Sequence, residues 1–294
     1  MRRTACILTA ILLWSSTGWS FCRTQTCDES VDDCGVSARG CPTGGIDVFW
    51  PTQCISYAIQ EDGSRLDDIS AELTEDLMTQ AVSTWMAADC DGSVLQLTTG
   101  AQGEVECNQP EFNCGNGDTN YNAIMFRENG WPYDPDALAI TTVSVDMRTG
   151  EVLDADMELN STDFAFSLPD ETPTADLLSV LTHEVGHMLG LAHSDDADAT
   201  MFAFYNPRSL GIRELSNDDA EGICDVFGGG DDAPECNFSP SSGDTACLGG
   251  TACEAPERSS SCSVSSSTTN TTGGLVMLGL AGMGGLLRRS RRRR

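Results

Sequence analysis

The sequence has no lysine and only three histidines among its 294 residues. Its 16 arginines face 45 aspartates and glutamates, so the formal net charge at pH 7 is −29. Two of the first three residues and six of the last seven are arginine, which leaves the part between them still more acidic. Such a surface repels the phosphates of nucleic acids and of anionic membranes. The composition therefore excludes nucleic-acid binding and is compatible with divalent cations and high salt.

Neither end of the chain has an apolar run of the length that a stable membrane-spanning helix needs. At the N-terminus, Arg2 and Arg3 precede an apolar run at 5–14, and Gly18 and Ser20 provide small residues for a cut after Ser20. This order is typical of a secretory signal peptide. The alternative is a buried N-terminal helix. The basic residues before the apolar run and the small residues after it make this alternative less favourable.

The C-terminus carries a second predicted targeting signal, in addition to the signal peptide. Residues 259–272 form a Ser/Thr-rich linker that contains Cys262, and residues 273–287 are apolar and rich in glycine before the final arginines. As a helix, the apolar segment would span about 22 Å, less than the hydrocarbon core of about 30 Å. The whole order resembles the C-terminal sorting tags of myxobacteria and their relatives. That resemblance implies transient or weak membrane association through residues 273–294, then processing and surface display or release; a weak tail anchor is the alternative.

The cysteine content agrees with export. Of the 14 cysteines, Cys6 leaves with the predicted signal peptide and Cys262 lies beside the tag, which leaves 12, enough for six disulfides. Scattered cysteines without paired C-x-x-C spacing favour disulfides in an exported protein, although the sequence does not define their connectivity. We expect a signal peptide at 1–20, a Cys-rich leader at 21–43, a globular domain at 44–228, a Cys-rich trailer at 229–258, and the linker with its tag at 259–294.

The hydrophobic pattern of residues 44–228 predicts an α+β domain. Strands are predicted at 54–59, 94–97, 123–126, 138–145 and 152–159, and helices at 69–86, 174–189 and 216–227. Thr174 is the predicted N-cap of the second helix. Ser216 with Asp219 caps the third helix, which Gly228 ends. The polar segment 104–122 is predicted to be a loop stapled by its own cysteines.

All three histidines lie within residues 183–193, which read HEVGHMLGLAH. On a helix, the four-residue spacing puts His183 and His187 about 40° apart, so both imidazoles point the same way. Gly190 then breaks the helix and lets the chain turn back, which delivers His193 as a third ligand. Three neutral imidazoles with one open position are typical of a catalytic zinc site, whereas a structural site is closed by four ligands.

Glu184 follows the first of these histidines and is not needed as a ligand. From that position its carboxylate can act as the general base that activates the water on the metal for peptide hydrolysis. The five-residue H-E-x-x-H pattern also arises by chance, as a pair of surface histidines. The longer pattern, with a glycine and a third histidine at fixed offsets, favours the metal site.

Residues 183–193 resemble the zinc-binding signature of the metzincin metalloproteases, and the serine after the third histidine resembles the matrixin branch. The segment 199–205, ATMFAFY, resembles the Met-turn of this family. The resemblance implies that Met201 lies beneath the metal and that Tyr205 helps to wall the S1′ pocket. Both residues are also consistent with ordinary core packing, and Ala203 stands where matrixins have proline.

The resemblance covers about residues 46–228 and implies a metzincin-like catalytic domain of the bacterial secreted, matrixin-like type. The implied fold is a twisted, mostly parallel sheet with an active-site helix and a closing C-terminal helix. Residues 139–143 resemble the edge strand that pairs with substrate, 150–156 resemble the next strand of bacterial members, and 215–223 resemble the closing helix.

Two features of animal matrixins are missing. No histidine remains for their second, structural zinc, and no P-R-C-G-x-P-D propeptide stretch occurs. Because Cys34-Gly35-Val36 faintly echoes that stretch, a Cys34 thiolate in the fourth zinc position is one hypothesis for latency. A disulfide at Cys34 is the alternative, which the even cysteine count favours.

Calcium is a second candidate cofactor. Oxygen-rich groups occur at 89–92, at 116–118 and at Asp154 with Asp156, and the matrixin resemblance makes structural calcium plausible. None of these groups matches an EF-hand loop, and clustered aspartates are expected in so acidic a chain.

The leading prediction is a secreted or cell-surface zinc endopeptidase that acts on proteins or peptides. Another metzincin branch or a narrow peptide processor is the enzymatic alternative, and an inactive surface-binding module on the same fold is the non-enzymatic one. Glu184 argues against the inactive module, since losing the base is the simplest way to lose catalysis.

Overall fold

The computed structural model describes residues 20–27, 34–106, 108–110, 112, 121–169, 174–206, 209–236, 238, 273–278 and 281–282. Several expectations fall outside these residues and stay predictions. They are the signal peptide, Cys107 and Cys114 of the stapled loop, the candidate calcium group at 116–118, most of the trailer, the Ser/Thr linker and the final arginines.

The largest sheet has six strands. In spatial order they are Gly273–Leu278, Ala139–Asp146, Val152–Leu159, Ala123–Phe126, Cys54–Gln60 and Thr98–Val105. The last four run parallel to one another, whereas Ala139–Asp146 is antiparallel to both of its neighbours. We call Gly273–Leu278 the tail strand. We call Ala139–Asp146 the edge strand, because it is the outermost of the five strands drawn from residues 54–159 on the side of the tail strand. Those five strands form a mixed, mostly parallel sheet, as the matrixin resemblance implies. The strand Thr98–Val105 was not predicted from the sequence, and its last two residues fall within the segment 104–122 that was predicted to be a loop.

Among the described residues, three α-helices accompany the sheet: α1 (Ala71–Met86), α2 (Leu177–Met188) and α3 (Asn217–Phe227), with a 3₁₀ turn at Gly211–Arg213. The buried side of α1 joins the same hydrophobic core as Val185 of α2. The indole nitrogen of Trp85 in α1 donates to the carbonyl oxygen of Thr182 at 2.8 Å, so a hydrogen bond inside the core joins the two helices.

Two helix starts follow from local capping chemistry. The side chain of Ser70 accepts from the backbone N–H of Leu73, and α1 therefore begins at Ala71 and not at residue 69. Ser216 and Asp219 form the predicted capping box of α3, and Gly228 at φ +70° follows its last residue.

The predicted N-cap of α2 is wrong. Ala175–Asp176 pairs with Phe166–Ser167 as a short parallel ladder, which keeps the chain extended past Thr174. The helix begins at Leu177, where the Asp176 carboxylate accepts from the N–H of Ser179 at 2.9 Å. The start of α2 is therefore set by a strand pairing between separate segments of the chain, and not by the tendency of Thr174 to cap a helix.

The remaining strands outside the large sheet are short, and some of them pair the outer segments with the domain. Cys22–Arg23 pairs with Leu191–Ala192, Gly35–Val36 with Pro42–Thr43, Asp89–Cys90 with Ser93–Leu95, Gly229–Gly230 with Ser93–Leu95, and Phe204–Tyr205 with Ala281–Gly282. The strand predicted at 94–97 is thus Ser93–Leu95. Residues 273–278, considered above as part of a short helix, are in a strand, and none of the described helices combines the length and apolar character that a bilayer span requires.

Four disulfides occur among the described residues: Cys22–Cys41, Cys27–Cys34, Cys54–Cys236 and Cys90–Cys224. The first two lie within the leader, as expected of a stapled segment. The third links the start of a central strand to the trailer, and the fourth links α3 to the hairpin after α1. The latency hypothesis for Cys34 is wrong, since its sulfur is bonded to Cys27 and offers no thiolate.

Candidate active site

Helix α2 carries a core face and a polar face. Leu177, Leu181, Val185 and Met188 are buried as predicted, and the indole nitrogen of Trp50 donates to the carbonyl oxygen of Met188 at 2.7 Å. On the polar face, the Nε2 atoms of His183 and His187 lie 3.0 Å apart. The four-residue spacing therefore has the geometric consequence expected from the helical period.

Gly190 redirects the chain after α2. Its φ of +106° lies in the left-handed region that glycine adopts at little cost, and the short strand Leu191–Ala192 follows. This turn brings the Nε2 atom of His193 to 3.2 Å from that of His187. Among the described residues, these three histidines form the group whose ligand atoms converge within 4.8 Å, as a metal site requires.

The hydrogen bonds of the rings assign their protons. Nδ1 of His183 lies 2.6 Å from the carbonyl oxygen of Thr200, and Nδ1 of His187 lies 2.8 Å from that of Leu191. A carbonyl oxygen only accepts, so each Nδ1 carries the hydrogen and each neutral ring presents a bare lone pair at Nε2.

Those lone pairs fit a metal cation. Two acceptors 3.0 Å apart repel each other unless a cation lies between them. Nitrogens about 2.0–2.1 Å from a tetrahedral zinc are about 3.3 Å apart, which is close to the separations in this cluster. The carbonyls on the far side of each ring are the outer partners that zinc-binding histidines usually have.

Burial keeps the two helical histidines neutral. Loss of solvent, reinforced by the neighbouring His193, lowers the pKa of His183 to about 3. Burial, with further contributions from His183 and His193, also lowers the pKa of His187 well below its usual value. The neutral imidazole is the form that binds a metal, so ligand protonation does not compete at neutral pH.

Glu184 is fully buried beside this cluster. The hydroxyl of Thr141, on the edge strand, donates to its Oε2 at 2.6 Å. The edge strand thus holds the carboxylate that follows the first histidine. Sequence reasoning placed both residues near the site but missed this contact, because 43 residues separate them along the chain.

Residues 117–228 match the matrixin family model. Metalloendoproteinase 5-MMP of Arabidopsis thaliana is 47% identical over 58 residues, 20% of this chain and 16% of that protein. Matrix metalloproteinase-16 of Homo sapiens is 44% identical over 59 residues, 20% of this chain and 10% of that protein. Karilysin of Tannerella forsythia is 43% identical over 54 residues, 18% of this chain and 11% of that protein. The chain thus spans less than a fifth of the length of each of these relatives.

We call residues 117–228 the matrixin-like segment. It contains the edge strand, α2 with the histidine cluster, the segment around Met201, and α3. Matrixins are zinc metalloendopeptidases, so the match supports a zinc-dependent hydrolase of the metalloprotease class. The predicted resemblance to matrixins is confirmed over this segment.

Within the matrixin-like segment, Met201 packs beneath the helix that carries the histidines. A β-carbon built on Gly186 of α2 would overlap the sulfur of Met201 and come within 2.7 Å of Trp85. The glycine therefore allows Met201 to approach the helix backbone between His183 and His187.

Asp219 holds the Met201 segment in place, a role that sequence reasoning missed. Its two carboxylate oxygens accept from the N–H groups of Thr200 and Met201 at 2.7 and 2.9 Å. Ser216 was the only partner that the capping pattern predicted. Burial raises the pKa of Asp219, while the backbone N–H groups of Thr200 and Met201 oppose that rise.

Asp218 connects α3 to two other parts of the chain, the start of the leader and the residue after His193. One oxygen accepts from the N–H of Phe21 at 2.8 Å, and the other accepts from the hydroxyl of Ser194 at 2.6 Å. The residue after His193 is thereby tied to the start of the leader.

Tyr205 is buried next to the start of α2. Its hydroxyl accepts from the N–H of Asp176 at 3.1 Å and donates to the carbonyl oxygen of Ser209 at 3.0 Å. The Asp176 carboxylate is in turn paired with Arg213. These bonds fix the strand Phe204–Tyr205 relative to the helix that carries the histidines.

The acidic groups considered for calcium have other partners. Asp156 is buried and accepts from the N–H of Ala123 at 2.8 Å, and Asp89 accepts from the N–H of Gly92 at 2.6 Å. In the part of the chain that the structure describes, the histidines form the one converging group of three or more metal-ligating side chains. Calcium binding is therefore not shown.

Proposed function

We propose that this protein is an extracellular zinc endopeptidase of the matrixin type that hydrolyses peptide bonds in proteins or peptides. The observation that carries the proposal is the convergence of three histidine Nε2 atoms beside a buried glutamate. The matrixin match over residues 117–228 supports the same reaction class.

The proposed zinc ligands are His183, His187 and His193. Two of them have their tautomer set by backbone carbonyls, so the lone pairs already point to one place before metal arrives. When bound, zinc polarises the scissile carbonyl and lowers the pKa of water to about 7.

Glu184 is the proposed general base and later the general acid. Its carboxylate accepts the proton of the attacking water and then delivers that proton to the nitrogen of the leaving amine, which departs poorly as an anion. The Thr141 hydroxyl orients the carboxylate, and burial keeps competing solvent away from it.

The edge strand and the strand Phe204–Tyr205 are the proposed walls of the substrate cleft. Substrate binds the edge strand through main-chain hydrogen bonds in an extended conformation. Tyr205 walls the S1′ pocket, and Met201 supports the helix beneath the metal.

Export is proposed from the two ends of the chain and from the disulfides. A signal peptide at 1–20 and a bacterial sorting tag at 259–294 would deliver the protein to the cell surface or release it. Four disulfides among the described residues fit an oxidising compartment.

The experiment is digestion of casein and gelatin by the folded protein, with chelator and with zinc returned. Cleavage that stops with chelator and resumes with zinc is the expected result. If a library of short peptides is cut while both proteins survive, the narrow peptide processor is correct. No cleavage of any substrate by zinc-loaded protein favours the inactive surface-binding module.

A further inference from the structure

The tail strand completes the large sheet by pairing with the edge strand. The two strands are antiparallel, and the register runs from Gly273 opposite Asp146 to Leu278 opposite Thr141. The tail strand therefore occupies the edge that the proposed function assigns to an extended substrate. Its last pairing is with Thr141, whose hydroxyl binds the carboxylate of Glu184.

The same segment then pairs on the other side of the cleft. Ala281–Gly282 forms a parallel ladder with Phe204–Tyr205, in the register Ala281 opposite Phe204. This wall is connected to the histidine cluster, because Phe202 forms a β-bridge with Ser194, the residue after His193. Two pieces of the same C-terminal segment thus pair with the two proposed walls.

Each ladder lies next to a residue that the proposed function places at the active site. Leu278 is paired beside the strand residue that holds Glu184, and Ala281 is paired on the segment that follows the third histidine and Met201. Three peptide bonds of the sequence separate Leu278 from Ala281. In the proposed function, an extended peptide substrate has to contact the same two walls, one on each side of its scissile bond.

We propose that the protein is its own substrate and that it hydrolyses one peptide bond between Leu278 and Ala281. This inference rests on the proposed function. Covalent attachment raises the local concentration of the segment to the order of millimolar for a flexible tether, so it outcompetes dilute external peptides. The cut releases the final arginines together with Ala281–Gly282, so the wall Phe204–Tyr205 becomes accessible to other substrates, while the tail strand stays attached to the chain.

The chemistry needs only water. The oxygen of water forms a bond to the scissile carbonyl carbon as the carbon–nitrogen bond breaks. Glu184 takes the proton of that water and passes it to the departing nitrogen. The products are a new C-terminal carboxylate on the enzyme and a free amine on the released peptide, with no redox change.

The test follows the intact mass of the full chain after zinc is added. We expect two products whose masses place the cut between Leu278 and Ala281. The rate should be first order and unchanged over a hundredfold range of protein concentration, because enzyme and substrate are one molecule. Glu184→Gln should stay intact over the same period.

A double variant, Leu275→Pro with Val276→Pro, tests the ladder itself. Neighbouring residues of an antiparallel strand direct their N–H groups to opposite sides, so two successive prolines remove at least one donor that faces the edge strand. Self-cleavage should fall at least tenfold, while casein cleavage by the same variant is retained. The matched control, Ser265→Pro with Ser266→Pro in the linker, should process itself like the parent.

Four outcomes overturn the inference. They are a full chain that cuts casein but stays intact, a cut elsewhere in the chain, a rate that rises with protein concentration, and equal processing of Glu184→Gln. If the chain stays intact and removal of residues 273–294 raises casein cleavage, the segment is an inhibitor and not a substrate. If neither casein nor the chain is cut, the proposed function fails together with this inference.

Discussion

The hydroxyl of Thr141 donates a 2.6 Å hydrogen bond to Oε2 of Glu184. In the proposed mechanism, one residue of the edge strand thus joins the surface assigned to substrate to the carboxylate assigned to proton transfer. A substrate that pairs with this strand would therefore lie next to the proposed base, whose position the same strand sets.

Thr141→Val tests this coupling. Valine keeps the shape of threonine but loses the donor, and a hydrogen bond to a charged group contributes about 1.5–3 kcal/mol. We expect kcat to fall about tenfold or more while KM changes little, measured on a fluorogenic peptide. Thr141→Ser should restore most of the rate, because it keeps the hydroxyl.

Thr142→Val is the matched control. Successive strand residues point to opposite faces, so the Thr142 side chain faces away from Glu184. Equal losses in the two valine variants would show that the strand matters only as structure.

Glu184→Gln should separate metal binding from catalysis. Glutamine preserves size and hydrogen bonding to Thr141 but does not accept the proton of the attacking water. We expect the variant to bind zinc and fold like the parent while its rate falls about 10²–10⁴-fold, the usual contribution of general acid–base catalysis. Peptide cleavage at a rate near that of the parent would contradict the assigned role.

His187→Ala tests the metal site. Its Nε2 lies 3.0 Å from that of His183 and 3.2 Å from that of His193, so it is the central member of the cluster. Elemental analysis of dialysed protein should give one zinc per parent chain and almost none for the variant. Retention of a full equivalent by the variant would place the zinc elsewhere.

Zinc should also stabilise the fold, because a ligand that binds only the native state raises its stability. Chelation should lower the Tm of the parent and leave that of His187→Ala unchanged. An equal loss of Tm in both proteins would show that the chelator acts at another site.

Gly186→Ala tests the packing of Met201 beneath α2. The added β-carbon would overlap the Met201 sulfur, and overpacking of this kind costs about 1–3 kcal/mol. We expect a lower midpoint of denaturant unfolding and weaker zinc binding, because α2 or Met201 has to move.

The control for this packing change is Gly211→Ala. A β-carbon at Gly211 approaches only the Ser209 hydroxyl, at 3.4 Å, so stability should change by less than about 0.5 kcal/mol. A Gly186→Ala protein as stable as this control would contradict the proposed packing of Met201.

Local sequence signals predicted much of the site. The spacing of His183 and His187 fixes their common direction through the helical period, and Gly190 supplies the left-handed turn that brings His193 back. The capping box of α3 is likewise predictable from the sequence, because its two members, Ser216 and Asp219, are three residues apart. These features depend on neighbours one or two turns away, so composition and spacing suffice to predict them.

Tertiary structure decided everything that joins distant segments. The sequence indicated disulfides but not that Cys34 pairs with Cys27, and it placed the N-cap of α2 at Thr174 because the ladder of Ala175–Asp176 was invisible to it. Asp219 looked like a helix cap alone until the fold brought Thr200 and Met201 to its carboxylate.

The apolar C-terminal segment shows the same difference between what local sequence predicts and what contacts between distant segments decide. Its composition is equally compatible with a short helix and with a strand, and fifteen residues of this kind carry no local signal for a partner. Only the sheet, which leaves the main-chain groups of the edge strand open on one side, offers that segment hydrogen bonds. Local periodicity therefore determined which face of α2 carries the histidines, whereas the pairing of distant backbone groups determined which segment lies beside the edge strand.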